Sequence, residues 1–342
     1  MNPAARKTPA VLGKICRVIR TGKRFLIATH RNPDGDAVGS ALALWHLVRG
    51  LGWSAAVWIP EGVPACYGFL DGADQVLRRL APGQRFDATL VVDTADPSIL
   101  AEPLPSREIS GTVVVLDHHA TRVEWGDLYL FEGASAVGEI IFSLARRLRF
   151  SMTAAFAECV YVAIMTDTGS FRYDTTTSEV MRLAASCIDL GVSPWKTARR
   201  IYETYPRARI ALLVEVLSTL EVDLGGAFAT VTSSADMLRK HGLGADALED
   251  FVNFPRAIEG VEVAALLRRR DDGAIRVSFR SRGRIDVAAV AHHFGGGGHH
   301  GAAGCTFPAE ETMEGARAKI RKHLEEACGL PGPEATGGPI GA

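Results

Sequence analysis

The sequence predicts an α/β protein in two parts: a mainly parallel sheet with helices on both faces, then a smaller α/β domain. Three observations carry this. The first 190 residues alternate short, β-branched apolar runs with helical patterns, and near-continuous apolar strands of that kind belong to parallel sheets covered on both faces. Three of those strands run directly into acidic or histidine residues, where sites form in such folds. After Gly191 the pattern changes, and 342 residues at about 150 per domain fit two domains.

In chain order, Phe25 to Thr29, Ala55 to Ile59, Thr89 to Val92 and Thr112 to Leu116 read as strands bounded by Gly, Pro or Asp. Helical patterns cover Asp36 to Arg49, Ala134 to Arg149 and Thr153 to about Met165. The catalytic part is thus expected over residues 1–190. Residues Trp195 to Leu220 keep helical periodicity and give a helical linker over 191–220. The second domain, 221–328, opens with strands at Phe228 to Thr232 and Val261 to Leu267. The turn Asp271-Asp272-Gly273 then leads to a strand over Ile275 to Arg280. Ile285 to His293 and Glu311 to Ala327 read as helices, and the Gly/Pro-rich segment 329–342 as a disordered tail.

Composition excludes several classes. With 38 Lys+Arg against 39 Asp+Glu the net charge is −1, so a generally basic nucleic-acid coat is excluded, though a local basic patch is not. A chain 47% hydrophobic and 23% charged is globular, not disordered. No run approaches 18 apolar residues, so no membrane span is expected. Met1 to Lys14 has no apolar signal core. Six scattered cysteines without a CxxC pair suggest reduced thiols and a cytoplasmic protein.

The strongest signal is Thr29-His30-Arg31-Asn32-Pro33-Asp34-Gly35-Asp36. Here a buried strand runs into a histidine, and Asn32-Pro33 and Gly35 bend the chain so that His30, Asp34 and Asp36 can converge. Taken alone, Asp36 could be an N-cap and Asp34 a turn residue. The next strands end in Val92-Asp93, followed by Asp96, and in Leu116-Asp117-His118-His119, while an apolar helix ends in Asp167-Thr168-Gly169. At least four carboxylates and two imidazoles therefore sit at one type of topological position. Carboxylates gathered without Lys or Arg repel one another unless cations lie between them. Asp and His without thiolates suit Mn²⁺, Mg²⁺, Fe²⁺ or Zn²⁺, and so many ligands point to two ions, an arrangement suited to phosphoryl-transfer hydrolysis.

These residues resemble the four ordered motifs of the DHH phosphoesterase superfamily: His30-x-Asn-Pro-Asp34-Gly-Asp36, Asp93, Asp117-His118-His119 and Asp167-Thr168-Gly169. The resemblance implies one metal on His30, Asp34 and Asp93, and a second on Asp36, Asp93, His118 and Asp167, with Asp93 bridging. It also implies that His119 faces the scissile phosphate and that Asp117 supports the adjacent imidazoles.

Gly295 to Gly304 (GGGGHHGAAG) is read as too glycine-dense for a packed strand, and as backbone that can approach an anion closely. Upstream, seven arginines between 268 and 284 face only Asp271 and Asp272, and alternation puts Arg276, Ser278 and Arg280 on one face. This segment resembles the DHH-associated domain of the same superfamily, through Val277-Ser278-Phe279-Arg280-Ser281 and Gly296-Gly297-Gly298-His299-x-x-Ala302-Ala303-Gly304. In relatives that domain holds the nucleotide over the metals, which implies a catalytic cleft between the domains. Arg280, Ser281, Gly296, Gly297, Gly298 and His299 are the expected substrate-binding residues. The compact arrangement is most similar to the nano-RNase and 3′-phosphoadenosine 5′-phosphate (pAp) phosphatase group, a manganese-type oligoribonuclease or exonuclease acting on short single-stranded RNA or nucleotides by two-metal activation of water. Alternatives left open are hydrolysis of cyclic di-AMP or pApA, a long single-strand exonuclease or polyphosphatase, and a non-catalytic nucleotide-binding regulator. A homodimer is compatible with this reading.

Overall fold

The computed structural model describes residues 3–119, 122–131 and 133–330, which form two compact units meeting at Thr204 and Tyr205. The expected tail from Gly329 lies almost wholly outside the described residues. Among the described residues no helix is long and apolar enough to cross a membrane.

The first unit runs α1 (Pro3–Thr21), β1 (Arg24–Ala28), α2 (Gly35–Gly50), β2 (Ser54–Trp58), β3 (Ala88–Val92), the single turn α3 (Arg107–Ser110), β4 (Thr112–Asp117) and β5 (Leu128–Phe131). It closes with α4 (Val137–Leu148), α5 (Ala154–Asp167), α6 (Ser178–Asp189) and α7 (Pro194–Tyr202). The sheet is wholly parallel, in the order β2-β1-β3-β4-β5. Strand order therefore reverses between β1 and β3, and ligand crevices open beyond the carboxyl ends of strands at such a point.

Alternation sorts the strand residues. Phe25, Ile27, Leu90, Val92, Val114 and Leu116 pack with α1, α2, α4 and α5 in the main core. Leu26, Ala28, Trp58, Val91, Val113 and Val115 face shorter cover, including Phe86, Leu100, Leu104 and Trp125. Helices α2 and α5 are apolar nearly all round, as buried helices are. They approach closely because Gly39 has no side chain; a Cβ there would stand 2.5 Å from the Cys159 carbonyl oxygen. This contact fixes the start of α2, which carries Asp36, against the end of α5, which carries Asp167.

The second unit holds α8 (Arg207–Leu217), β6 (Glu221–Asp223), β7 (Phe228–Ser233), α9 (Ala235–His241), the single turn α10 (Asn253–Arg256), β8 (Val263–Arg269) and β9 (Ile275–Ser281). It ends with α11 (Val287–His293), β10 (Gly297–His299), β11 (Ala302–Phe307) and α12 (Met313–Cys328). Its mixed sheet has the order β10-β11-β9-β8-β7-β6, with β7 and β8 parallel and the other pairs antiparallel. One face packs Val263, Ala265, Val277 and Phe279 on α11 and α12 through Val290, Ile320 and Leu324. On the other, Val231 and Leu266 pack with Leu212 and Val216 of α8.

Two expectations are corrected. The helical stretch Trp195 to Leu220 is two helices, because Pro206 cannot continue α7 and instead precedes α8 as its cap residue. The glycine run, expected to be no strand, forms the hairpin β10–β11, with Gly297 opposite Gly304, Gly298 opposite Ala303 and His299 opposite Ala302. Glycine is used there for close backbone packing. A Cβ on Gly296 would fall 2.2 Å from the Gly304 carbonyl oxygen, and Gly298 holds φ +146 with the Ala303 backbone 2.5 Å from where its Cβ would be.

Candidate metal centre

Each side chain of the N-terminal constellation arrives by a local device. After β1 the chain turns through Asn32 at φ 50, a left-handed conformation that asparagine tolerates, and enters α2. Asp34, not Asp36, is the N-cap, its Oδ1 accepting the Ala37 N–H at 3.0 Å. Asp36 lies in the first turn, 1% exposed, and is fixed from three sides. Ser40 Oγ donates to Oδ1 at 2.7 Å, and the N–H groups of Val137 and Gly138, at the start of α4, donate at 2.7 and 3.2 Å. Asp93 follows β3 at φ 53, an uncommon conformation for a residue with a side chain, and one that functional sites tolerate where the surroundings impose it. Asp167 is the last residue of α5. Asp96, by contrast, only caps the turn that follows, accepting from the Ser98 N–H at 2.7 Å.

The histidine rings are oriented through Nδ1. In His30 this atom lies 2.8 Å from the Arg31 carbonyl oxygen and in His118 3.1 Å from that of Ala134, so both rings present Nε2 to the carboxylates. His118 Nε2 stands 3.7 Å from Asp36, 3.4 Å from Asp93 and 3.4 Å from Asp167; His30 Nε2 stands 3.4 Å from Asp93. These separations exceed the usual 2.7–3.2 Å of an N–H···O hydrogen bond. They match the edges of a coordination shell, where donors about 2.1 Å from one cation stand roughly 3–4 Å apart. Asp93 Oδ1 is buried and has no hydrogen-bond partner among the described residues. Three groups of donor atoms fall within 4.8 Å: His30, Asp34 and Asp93; Asp36, His118 and Asp167; and Asp93, His118 and His119. Asp93 and His118 each belong to two groups.

Charge completes the fit. Among the described residues no ion pair joins these carboxylates to Lys or Arg; their ionic partners are the imidazoles. Burial, and then the charge of Asp93, push Asp36 up to about 7. Asp167 is raised well above the carboxylate range by burial and by Asp36. Burial alone would raise Asp93 too, but His118 and His30 outweigh it and hold the group far below its ordinary value. Burial opposes charge on the rings, yet Asp93 raises His30 to about 9, and Asp93 with Asp36 raises His118 to about 11. A buried acidic cluster balanced only by imidazole protons is a site at which divalent cations displace those protons. The oxygen and imidazole donors, the uncommitted Asp93 oxygen and the spacing all fit two divalent ions.

His119 is oriented differently. Its Nδ1 lies 2.7 Å from Asp117 Oδ1, and Asp117 is fully buried at the end of β4. Sequence reasoning missed two contributors: Tyr129, whose hydroxyl donates to Asp117 Oδ2 at 2.5 Å, and the N-terminus of α4 on Asp36. The helix start was readable; the phenol was not, because its partner lies on a neighbouring strand.

In the C-terminal unit Arg276, Ser278 and Arg280 share the sheet face away from α11 and α12, as alternation requires. Ser281 does not join them. It is buried on the opposite side, with its Oγ accepting the Gly283 N–H at 2.9 Å. Arg280 Nη1 donates to the Phe279 carbonyl oxygen at 3.0 Å. Arg269 and Arg282 are spent on backbone carbonyls, and Arg270 pairs with Asp272. Gly297 and Gly298 are in the hairpin, and the Gly296 N–H donates to Ala291, so the expected anion nest is occupied in part by the protein itself. The His299 side chain lies outside the described residues.

Comparison with known proteins agrees with this geometry. Residues 24–164 match the family model described as DHH family, N-terminal domain, and residues 226–326 match the DHHA1 domain. The chain is 34% identical over 310 residues to the bifunctional oligoribonuclease and PAP phosphatase NrnA of Thermus thermophilus, covering 88% of this chain and 90% of that one. A solved exopolyphosphatase-related protein from Bacteroides fragilis is similar at TM-score 0.87 and 25% identity, over 94% of this chain and 97% of the other. RecJ of Thermus thermophilus, solved in complex with Mn²⁺, shares the fold at TM-score 0.52 and 14% identity, over 97% of this chain and 55% of RecJ.

Proposed function

The chain belongs to the DHH family and carries a DHHA1 domain, and on that premise we propose that it is a metal-dependent phosphoesterase hydrolysing short oligoribonucleotides and pAp. The observation that carries this is the gathering of His30, Asp34, Asp36, Asp93, His118 and Asp167 into adjoining groups of donor atoms, with one buried oxygen of Asp93 lacking a hydrogen-bond partner among the described residues. His30, Asp34 and Asp93 would hold one ion, and Asp36, Asp93, His118 and Asp167 the other, with Mn²⁺ the expected metal. When bound, two such ions lower the pKa of an attacking water and neutralise charge developing on the phosphoryl oxygens.

The remaining work belongs to the chain. The backbone contacts on His30 and His118 keep Nε2 as the donor atom, so the rings need no reorganisation on binding. Asp117 holds the proton of His119 on Nδ1, which makes Nε2 the atom that delivers a proton to the leaving ester oxygen. Arg280, with Ser278 beside it on β9, supplies a planar donor fork for a phosphorylated nucleotide end. The oligoribonuclease and PAP phosphatase name of the Thermus thermophilus relative supports short nucleotides as the substrate class.

The test is hydrolysis with Mn²⁺ of a panel holding pAp, RNA dimers to pentamers, cyclic di-AMP, pyrophosphate and a 20-mer RNA. Turnover of pAp and the short RNAs is expected to exceed that of the rest. Preference for the 20-mer, for cyclic di-AMP or for pyrophosphate would replace the substrate assignment, and no turnover of any would replace the enzyme by a nucleotide-binding protein.

A further inference from the structure

We propose that Tyr129 is a positioning residue for the reaction, acting on His119 through Asp117; this rests on the reading of His119 as proton donor. Tyr129 lies outside the motif residues, on the edge strand β5, where it stands in register with Val115 of β4. Asp117 is two residues beyond Val115, so alternation turns it to the same face as Val115 and Tyr129. A long aromatic side chain reaches such a diagonal neighbour. The Tyr129 hydroxyl lies 2.5 Å from Asp117 Oδ2, while Asp117 Oδ1 lies 2.7 Å from His119 Nδ1.

The direction of each bond follows from the donor inventory. An ionised carboxylate only accepts, so the phenol donates to Oδ2 and Nδ1 donates to Oδ1. With both oxygens engaged, the fully buried carboxylate has a single orientation, and His119 a single tautomer. Removing the hydroxyl leaves Oδ2 of a buried group without this donor. The carboxylate is then free to turn or to recruit water, and the Nδ1 contact that aims the imidazole loosens. Phenylalanine keeps the ring and its packing, so Tyr129→Phe removes the hydrogen bond alone.

The role is readable through the leaving group. A ribose oxygen needs a proton as it departs, whereas p-nitrophenolate does not. Tyr129→Phe is expected to lower kcat on an RNA dimer about 10-fold with KM unchanged, and to change kcat on a p-nitrophenyl phosphodiester by less than about 2-fold. Added to His119→Ala it should cost nothing further, because the two act as one unit. In metal-free protein the proton NMR signal of His119 Nδ1–H should move upfield in Tyr129→Phe as its hydrogen bond weakens. Equal losses on both substrates, an unchanged dimer rate, or an additive loss on His119→Ala would overturn the proposal. If His119→Ala itself spares the dimer, the reading of His119 fails and takes the proposal with it. If His119→Ala is impaired and Tyr129→Phe is not, only the role of Tyr129 fails.

Discussion

In the N-terminal unit the dense motifs mark side chains that converge, whereas in the C-terminal unit the densest motif marks positions where side chains are missing. His30, Asp93 and His118-His119 follow three strands of one parallel sheet, and donor atoms of neighbours among them meet within a few ångströms. Gly296, Gly298 and Gly304 lie in or beside a hairpin where the backbone of β11 or of β9 stands too close for a Cβ. The first arrangement stores charge, with Asp93 held in a left-handed conformation and one of its oxygens without a hydrogen-bond partner among the described residues. The second stores shape, and it presents Arg276 and Arg280 from the adjacent strand β9. A motif can thus be dense in one residue type because of what those residues do, or because of what any other residue would obstruct.

The largest expected effect breaks the first arrangement. Asp93→Asn should lower Mn²⁺-dependent hydrolysis by at least about 10³-fold, beyond the 10–100-fold usual for groups one shell removed from a metal. It should also abolish most of the rise in Tm that Mn²⁺ gives the wild type through binding to the folded state. Rates within 10-fold of wild type, read by steady-state hydrolysis of pAp, would contradict the bridging role.

Next comes the division of labour between adjacent histidines. His118→Ala should lose an ion, since Nε2 faces three carboxylates, while His119→Ala should keep both and lose about 10²-fold in kcat. Metal content by mass spectrometry beside kcat sharpens the contrast; reversed stoichiometries would exchange the two roles.

In the C-terminal unit the effects should be smaller and of another kind. Arg280→Ala should reduce kcat/KM for pAp and an RNA dimer by about 10–100-fold, the worth of a charge-assisted contact, and leave metal content unchanged. A small chromogenic phosphodiester should be nearly unaffected; equal loss there would give Arg280 a part in the chemistry. Gly298→Ala should act on stability, costing about 1–3 kcal/mol for an alanine forced to φ +146 against the Ala303 backbone. Urea unfolding measures it, and an unchanged midpoint would remove the packing role of the run.

The same contrast explains what could be read from the chain. The four β-branched runs fall within a residue of β1 to β4, because a strand buried on both faces needs an apolar side chain at every position. The metal donors were legible because acidic residues at strand ends have no structural reason to accumulate. β5 was not read, since Leu128–Phe131 is a four-residue edge strand. α1 was also passed over, although Leu12, Ile15, Cys16 and Ile19 give a helical stripe that buries in the core. Gly296 and Gly298, read for their freedom to meet an anion, also pack against neighbouring backbone, a contact that composition does not reveal but cross-strand register does. Tyr129 and Ser281 depended on which face of a strand meets which neighbour, and that is fixed by pairing across the sheet.

The most direct test of the central claim is equilibrium dialysis of the metal-free protein against Mn²⁺. Two ions per chain in the wild type, and fewer than two in Asp93→Asn, are expected from donor groups that adjoin through Asp93 and His118. A single ion in the wild type, or two retained by Asp93→Asn, would contradict a bridged two-metal centre.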